Sequence, residues 1–337
     1  MKKKNLLIAS LMAMVFVLSG CGNQTGGDDS GSSDQSSESV ETETVDKSIL
    51  AHWKLQNLEG CYQGNIDTDE LTFFDLSGNG NDLVVSTEGN GDQLDIFTWD
   101  EEGFYGGAPA LKLNNTLALA QSVDPYEDSQ TSYNGAYVSG KYLETVEDAP
   151  INNLTGANGW TIEIVYKVSA EWNNAYNRYV GLFSKQGVSE VEDEPVFAMM
   201  VTSASDDRQG ALGYDGTTGV QYVHINQYNE EEKHEYCNGT IYSEEWVHFM
   251  VASDGRITDI YVNGERVAEI VSDNTLSNFA TGGWEVGVGR KFGGDVATMN
   301  PMHEEGLIRR LFCGSISEIR FSEGKKSIDD SLLSTKA

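Results

Sequence analysis

One stretch of the chain combines aromatic rings with amide side chains, the residue types that bind polyhydroxylated ligands. It runs from Glu171 to Tyr179 and contains Trp172, Asn174 and Tyr176. A flat ring beside a few hydrogen-bonding groups suits a sugar, which has apolar ring faces and many hydroxyls. Trp172, Asn174, Tyr176 and Tyr179 are therefore our hypothesis for a ligand-binding site. The alternative is that the rings hold this loop against the body of the protein.

A second candidate lies in the string Asp75-Leu-Ser-Gly-Asn-Gly-Asn-Asp82. Ca²⁺ takes oxygen ligands from carboxylates, amides and backbone carbonyls, so Asp75, Asn79 and Asp82 are candidate calcium ligands. The alternative is turn chemistry, in which these side chains accept hydrogen bonds from nearby backbone and the two glycines adopt positive φ. Ca²⁺ is the cofactor that the sequence suggests.

Catalytic patterns are missing from the sequence. Retaining glycoside hydrolysis needs two carboxylates about 5–5.5 Å apart. The acidic string 190–194 lacks the apolar alternation of a strand and is followed by Pro195, so we predict a solvated loop. No Gly-x-Ser-x-Gly, His-Glu-x-x-His or P-loop pattern occurs, and the five histidines are scattered. We therefore expect no catalytic residues and no enzyme.

Three cysteines follow Cys21, namely Cys61, Cys237 and Cys313. Three thiols allow at most one internal disulfide, and the sequence does not choose the pair. The alternative is that all three are buried thiols. Their spacing does not resemble that of a zinc site.

The net charge excludes some partners. Asp and Glu number 53 against 22 Lys and Arg, which gives a formal charge of -31. Nucleic-acid binding depends on clustered Lys and Arg, and so does binding to an anionic membrane surface. The composition therefore argues against nucleic acid as a partner and permits neutral glycans and cations.

The first twenty residues have the features of an export signal. Lys2, Lys3 and Lys4 precede an apolar run, 6–18, that is too short to span a membrane. The run ends in Leu-Ser-Gly-Cys21, which resembles the lipobox of bacterial lipoproteins. The resemblance implies cleavage before Cys21 and a lipid on its sulfur, which would anchor the chain to a membrane outside the cytoplasm.

Residues 21–48 are predicted to form a tether. After Cys21 they are mainly Gly, Ser, Thr, Gln and acidic residues, with almost no apolar side chain. Such a segment buries too little surface to offset the entropy lost on ordering. Repulsion between its acidic side chains is expected to extend it.

From Ile49 onward, short alternating runs and Gly turns indicate strands rather than helices. Residues 49–325 are predicted to form one all-β domain, an antiparallel β-sandwich of jelly-roll type, and 326–337 a C-terminal tail. Long insertions are expected at 114–158, 185–194, 226–245 and 290–312. Short helical turns are predicted near 303–311 and 325–333.

Two regions have the clearest pattern. Residues 160–168 alternate so that Thr161, Glu163 and Lys167 share a face opposite the apolar one, which predicts a half-buried strand. Residues 246–252, 257–262 and 266–271 predict a three-strand meander. Its turns, Asp254-Gly255 and Asn263-Gly264, favour type I′ geometry.

Seven segments, in order along the chain, resemble the laminin G-like group of the concanavalin A-like lectin/glucanase superfamily. They are 75–82, 107–113, 160–163, 246–248, 261–264, 287–289 and 314–320. The resemblance spans roughly residues 50–325 and implies the β-sandwich. Domains of this kind bind glycans, bind proteins, or space other domains, so the fold implies no single function.

Together these observations predict a surface lipoprotein with a non-catalytic, lectin-like domain that recognises a glycan, with calcium as a candidate cofactor. The first alternative is a protein-binding adhesin or assembly module without a sugar site. The second is a divergent glycoside hydrolase.

Overall fold

The computed structural model describes residues 46–88, 96–115, 140–170, 179–185, 196–203, 217–226, 229–242, 244–272, 279, 282–291 and 308–334. The predicted signal peptide, the lipidation site Cys21 and most of the tether lie outside these residues.

The described residues are almost entirely strands joined by turns. In chain order the strands are β1 (Ile49–Lys54), β2 (Tyr62–Gln63), β3 (Thr72–Phe73), β4 (Leu83–Glu88), β5 (Phe97–Asp100), β6 (Ala110–Asn114), β7 (Gly140–Thr145), β8 (Trp160–Val168), β9 (Tyr179–Lys185), β10 (Phe197–Ser203), β11 (Thr217–Asn226), β12 (Asn229–Tyr242), β13 (Trp246–Ser253), β14 (Ile257–Val262), β15 (Glu265–Val271), β16 (Trp284–Val286), β17 (Val288–Lys291), β18 (Ile308–Leu311) and β19 (Cys313–Glu323). Short 3-10 helices lie at Phe104–Gly106, Pro150–Asn153 and Ile328–Asp330.

Two antiparallel sheets pack face to face, which confirms the predicted β-sandwich. Sheet A has the order β15-β14-β13-β8-β19-β6-β5, and β1 also pairs with β19. Sheet B has the order β12-β11-β10-β9-β16-β7-β4-β3-β2. Strands that are distant in sequence lie side by side in both sheets, so the turns and sheet ends bring together residues from all parts of the chain.

The core between the sheets is rich in aromatic rings. Trp160 of sheet A packs edge-on against Phe197 of sheet B, with 5.4 Å between ring centroids. Phe183 and Trp284 stack at 4.8 Å with nearly parallel planes. Each of these large rings removes a large apolar area from water, which stabilises the sandwich.

The outer face of sheet B is partly covered at β9. Strands β17 and β18 form a small hairpin, and Ser184 Oγ donates to the Val288 carbonyl at 2.6 Å. A Cβ on Gly181 would lie 2.1 Å from Gly289 N, so only glycine fits at this crossing. The hairpin therefore occupies the outer surface that β9 would otherwise expose.

Strand β8 is buried on both faces, and the prediction of a half-buried strand was wrong. All nine of its residues are buried, including Thr161, Glu163 and Lys167. The reason is the segment that follows β19, which packs on the outside of sheet A. Leu332 there forms an apolar cluster with Val165 and Phe104.

Glu163 accommodates its charge through a closed network. Its carboxylate accepts two hydrogen bonds from Arg320, at 2.6 and 2.9 Å, one from the Leu332 amide at 2.7 Å, and makes a 2.9 Å contact with His248 Nε2. Burial alone would raise the pKa of Glu163, but His248 and Arg320 hold that pKa below its usual value. The network ties the C-terminal segment to the sheet.

Three strands lie where the sequence predicted insertions. They are β7 within 114–158, β12 within 226–245 and β18 within 290–312. Strand β12 reads Asn-Glu-Glu-Glu-Lys-His-Glu-Tyr-Cys-Asn-Gly-Thr-Ile-Tyr, and it was missed because most of its residues are polar. It pairs with β11 at the sheet edge, and within it His234 is buried and Tyr236 packs against the core. The predicted helical turn near 303–311 is a strand at 308–311, whereas the one near 325–333 is confirmed as a 3-10 helix.

The meander β13–β14–β15 matches its prediction, and one of its two turns does too. Asn263 and Gly264 have φ of 50° and 85°, as a type I′ turn requires. In the other turn only Gly255 has positive φ, because Asp254 instead accepts hydrogen bonds from the Arg256 and Ile257 amides. That loop is longer than a two-residue turn.

Among the residues that the structure describes, no helix is both long and apolar enough to span a membrane.

Candidate functional site

A polar cleft of about 210 Å³ opens on the outer face of sheet A. We call it the distal cleft. Its polar lining includes residues from four strands and two turns, namely Asp100, Glu102, Lys112, Lys167, Glu244 and Ser315. Because β5, β6, β19 and β8 are neighbours in the sheet, residues from positions 100 to 315 meet in one place.

An ion pair forms the floor of the distal cleft. Lys167 Nζ lies 2.8 Å from Asp100 Oδ2, which also accepts a 2.5 Å hydrogen bond from Ser315 Oγ. The Glu102 amide donates to Asp100 Oδ1 at 3.1 Å. Burial raises the pKa of Asp100, but the hydrogen bonds from Lys167, Ser315 and Glu102 outweigh it and hold that pKa below its usual value. The floor therefore carries a fixed, ionised acceptor.

An aromatic ring packs against the lysine of this floor. Lys167 Nζ lies 5.1 Å from the ring centroid of Trp246, a cation–π contact. Trp246 Nε1 donates to the Glu102 carbonyl at 3.1 Å, and the Phe104 ring packs edge-on against Trp246 at 6.0 Å. The tryptophan is half-buried, so its main part here is to hold Lys167 in place.

Tyr105 is an exposed aromatic residue in the loop between β5 and β6. Its side chain is 71% exposed, its ring lies 4.1 Å from that of Phe104, and its φ is 52°. A left-handed backbone costs a non-glycine residue about 1–2 kcal/mol. Strain of this kind is often kept where it presents a functional side chain. We did not select Tyr105 from the sequence, although its setting between Gly103 and Gly106 is a detectable signal.

The predicted aromatic loop begins at the distal cleft. Glu244 Oε1 accepts a 2.7 Å hydrogen bond from the Ala170 amide, the last described residue before the loop. Trp172, Asn174 and Tyr176 lie outside the described residues. Tyr179 starts β9, and its side chain is likewise not described. The ligand-binding hypothesis for these four residues stays a prediction, and the structure adds the position of the loop's base.

The register of β8 gives the position of the cleft in the molecule. Trp160, at the start of β8, lies opposite Glu323, whose amide donates to the Ser48 carbonyl at the beginning of the described chain. Lys167 lies seven residues further along β8. At about 3.3 Å per residue, the distal cleft is roughly 23 Å from the end where the tether would enter.

A second cleft, of about 390 Å³, lies on sheet B. We call it the proximal cleft. It is lined by polar groups of β7, the 3-10 helix after it and the turn before β16, over an apolar floor of three valines. Its polar lining includes Glu144, Thr145, Glu147 and Asn152.

A buried lysine closes the wall of the proximal cleft. Lys185 Nζ donates to the carbonyls of Asn152 and Gly282, at 2.9 and 2.8 Å, and lies 4.8 Å from the ring centroid of Trp284. Burial lowers the pKa of Lys185 to about 7, an effect that nearby Glu285 partly opposes. Its side chain is fully buried, so it joins two segments of the wall and does not reach a ligand in the cleft.

The candidate calcium ligands form a compact turn. Asp75 Oδ1 accepts hydrogen bonds from the His52 and Ser77 amides, both at 3.0 Å, and from Ser77 Oγ at 2.7 Å. Asp75 Oδ2 accepts from the Asn81 amide and side chain, at 3.0 and 2.9 Å. Asp82 Oδ1 accepts from the Asp75 amide at 2.8 Å.

The third candidate in this turn donates rather than accepts. Asn79 Nδ2 lies 3.0 Å from the carbonyls of both Ile49 and Leu50. Gly78 and Gly80 have φ of 80° and 81°, as turn chemistry requires. The oxygens of Asp75 are thus engaged with protein donors, and the calcium role of Asp75, Asn79 and Asp82 stays a prediction.

Within the described part of the chain, no group of three or more His, Cys, Asp or Glu side chains is arranged to hold a metal ion. The acidic string 190–194 lies outside that part. Two histidines pair with buried glutamates, His248 with Glu163 and His52 with Glu318, and so stabilise the sheet. Cys61, Cys237 and Cys313 carry thiols and are not joined by a disulfide. Burial raises the pKa of Cys61.

No protein-family model and no curated protein matches the chain. Solved structures do match. Domain 4 of a family GH43 extracellular arabinanase from Geobacillus stearothermophilus, solved with arabinotriose, aligns with a TM-score of 0.45 and 12% identity over 83% of this chain and 95% of that chain.

Two other matches have similar values. The CBM40 of a Ruminococcus gnavus sialidase, bound to α2,3-sialyllactose, aligns with a TM-score of 0.37 and 18% identity over 56% of this chain and 85% of that chain. The receptor-binding domain of a botulinum neurotoxin C/D mosaic aligns with a TM-score of 0.47 and 10% identity over 86% and 51%. Values this low assign no ligand to this chain, whose β-sandwich is defined by its own two sheets.

Proposed function

We propose that this protein is a surface lipoprotein whose β-sandwich recognises a glycan in the distal cleft, without catalysing a reaction. The observation that carries the proposal is the Lys167–Asp100 pair in the cleft, with the Trp246 ring packed against Lys167. Exposed Tyr105 is connected to this ring through Phe104. Charged donors and acceptors in fixed positions next to an aromatic ring suit the vicinal hydroxyls and apolar faces of a sugar.

The charge of the cleft favours an uncharged ligand. Lys167 Nζ lies 2.8 Å from Asp100 and 3.7 Å from Glu102, and Lys112 and Glu244 also line the cleft, so its two lysines face three carboxylates. The protein as a whole has a formal charge of -31. A polyanionic glycan would meet repulsion from both, whereas hydroxyl groups can donate to the carboxylates and accept from the lysines.

The ionisation of Asp100 supports binding rather than hydrolysis. A glycosidase acid needs a carboxyl whose pKa is raised, so that it carries a proton near neutral pH. The pKa of Asp100 is lowered instead. We therefore expect the protein to release no reducing ends from the polysaccharide that it binds.

The anchor is part of the proposal. A lipid on Cys21 and an extended acidic tether would hold the domain outside the membrane, with the distal cleft at the far end of β8 from the tether. Cys21→Ser should then appear in the medium, whereas wild-type protein stays with the membrane fraction. Membrane-bound Cys21→Ser would contradict the lipid anchor and leave the glycan site untouched.

A glycan array tests the recognition itself. The soluble domain from residue 46 onward, with and without 1 mM Ca²⁺, should bind a subset of neutral plant, microbial or host glycans. Lys167→Met should lose that signal, and Lys233→Met, a lysine on the edge strand of sheet B with a surface partner, should keep it. An array that stays blank for wild-type protein in both conditions would overturn the proposal.

A further inference from the structure

A row of side chains crosses sheet A beneath the distal cleft. Thr98 of β5 lies opposite Lys112 of β6, which lies opposite Ser315 of β19. Ser315 in turn lies opposite Lys167 of β8, and Lys167 lies opposite Trp246 of β13. Residues directly opposite each other on neighbouring strands point to the same face of a sheet. The register therefore places all five on one line across five strands.

The line lies on the outer face. Its neighbours Leu111, Leu113, Tyr166 and Ile316, which alternate with it along the strands, all point into the core. Lys112, Ser315 and Lys167 line the distal cleft. The row is thus the floor of the cleft, extended to the β5 edge of the sheet.

The row extends well beyond the Lys167–Asp100 ion pair. Four steps between neighbouring strands, at about 4.8 Å each, give roughly 19 Å from Thr98 to Trp246. The inner part, Ser315 and Lys167, is fixed by Asp100. The outer part is open, because Lys112 is only half-buried and Thr98 lies on the edge strand.

Four of the five positions in the row can hydrogen-bond to a hydroxyl group, whereas the Trp246 N–H is already donated to the Glu102 carbonyl. Thr98 Oγ1 accepts a 2.9 Å hydrogen bond from Asn114 Nδ2 and keeps its own proton to donate. Ser315 Oγ donates to Asp100 and keeps its lone pairs to accept. The two lysines supply donors at the alternate positions. Donors and acceptors at intervals of about 4.8 Å suit a ligand with repeating hydroxyl groups rather than a single small molecule.

We propose that the distal cleft binds an internal segment of a linear, neutral glycan, which lies across the strands from Trp246 to Thr98. Lys167 and Ser315 form the inner contact, and Lys112 and Thr98 form the outer contact, which only longer chains reach. This inference rests on the proposed function, because it specifies the class of glycan for the same cleft.

The test is a series of chain lengths. Neutral linear oligosaccharides of one to six residues, from whichever of the xylan, arabinan, glucan and mannan families gives the strongest array signal, are titrated into the wild-type domain by calorimetry. Affinity should rise at least tenfold as the chain lengthens from the disaccharide, and it should level off before the hexasaccharide, once the row is filled.

Variants of the outer contact separate length from general affinity. Lys112→Met and Thr98→Val should each weaken the hexasaccharide three- to tenfold and change the disaccharide less than twofold. Both positions lie on the surface, so both variants should fold. Lys233→Met serves as the matched lysine control and should leave every length unchanged.

The outcomes distinguish the two proposals. If a monosaccharide binds as tightly as the hexasaccharide, or if Lys112→Met weakens all lengths equally, the extended site is wrong while glycan recognition stands. If a polyanionic series binds more tightly than every neutral one, the assigned glycan class is wrong. If no family binds at any length, the proposed function itself fails.

Discussion

The Asp75 turn and the distal cleft use the same chemistry for different ends. In both, an aspartate accepts hydrogen bonds from backbone amides and from a serine hydroxyl. Asp75 has protein donors on both oxygens and is 7% exposed. Asp100 shares its charge with Lys167 in a cleft that opens to solvent. A carboxylate surrounded by its own chain thus stabilises the fold, whereas one held at a cleft floor can also bind a ligand.

Removing the first carboxylate should have the largest effect. Asp75→Ala leaves three amides, those of His52, Ser77 and Asn81, without their acceptor. Each buried unsatisfied donor costs about 1–3 kcal/mol, so we expect a loss of about 3–5 kcal/mol in the free energy of unfolding. Urea denaturation measures it, and the folded fraction should bind glycan as wild type does.

Two results would contradict a purely structural role for the Asp75 carboxylate. A loss below about 1 kcal/mol would show that other groups hold the turn. A fall in the melting temperature of wild-type protein on adding EDTA would show that a bound cation supports the fold, since a ligand of the native state stabilises it. If Ca²⁺ bound at Asp75, Asn79 and Asp82, Asp75→Ala would abolish the EDTA effect.

In the wall of the proximal cleft, the positive charge of a buried lysine opposes stability. The pKa of Lys185 is about 7 in the folded protein, below its ordinary value near 10.5. Between these values the unfolded chain binds a proton that the folded protein does not, so stability should rise with pH across that window. The slope is at most about 1.4 kcal/mol per pH unit. Urea melts at pH 7 and pH 9 measure it.

Lys185→Met is the control for that experiment. Methionine keeps the length and packing against Trp284 without the amine. The pH dependence between 7 and 9 should be weaker in Lys185→Met than in wild type. Equal slopes would mean that groups other than Lys185 produce the rise. The Cys61 thiol is not one of them, because its raised pKa makes stability fall as the pH rises.

The distal ion pair should affect both binding and stability. Lys167→Met leaves Asp100 at the cleft floor without its partner, and we expect a loss of about 1–2 kcal/mol in stability and at least tenfold in glycan affinity. Asp100→Asn should act similarly, and the double variant should cost less than the sum of the two. Calorimetry and urea melts on the four proteins form the cycle. Full additivity would show that the two side chains do not act as a pair.

Tyr105 should give the smallest change in stability and a moderate change in binding. Because its side chain is 71% exposed, Tyr105→Ala should alter the free energy of unfolding by less than about 1 kcal/mol. Loss of its ring should weaken glycan binding about three- to tenfold, whereas Tyr105→Phe should keep most of the affinity. Equal weakening by both would assign the contact to the hydroxyl rather than the ring.

The sequence predicted strands correctly where apolar and polar side chains alternate. Strands β8, β13, β14 and β15 follow from apolar periodicity, and Asn263-Gly264 from turn chemistry. Strand β12 did not follow, because most of its residues are polar, and the hairpin β17–β18 did not follow, because a glycine crossing places it against β9. The burial of Glu163 was also missed, since the covering segment is distant in sequence.

The distal cleft was harder to predict from the sequence than the fold, for a similar reason. Asp100, Lys167 and Ser315 come from three distant strands, and only their register brings them together. The turn Asp75–Asp82 was recognised because its residues are contiguous. The aromatic loop after β8 stays a prediction, and only its base at Ala170, which lies beside the cleft, is described. Local patterns thus identified local chemistry, and the pairing of strands supplied the rest.

In our proposal the glycan binds in the distal cleft and not in the proximal cleft or on the outer face of sheet B. A crystal structure of the domain soaked with the oligosaccharide that binds most tightly on the array tests it most directly. We predict sugar density over Lys167 and Ser315, with a ring beside Tyr105. Density in the proximal cleft near Glu144, or on sheet B with an empty distal cleft, would contradict the account.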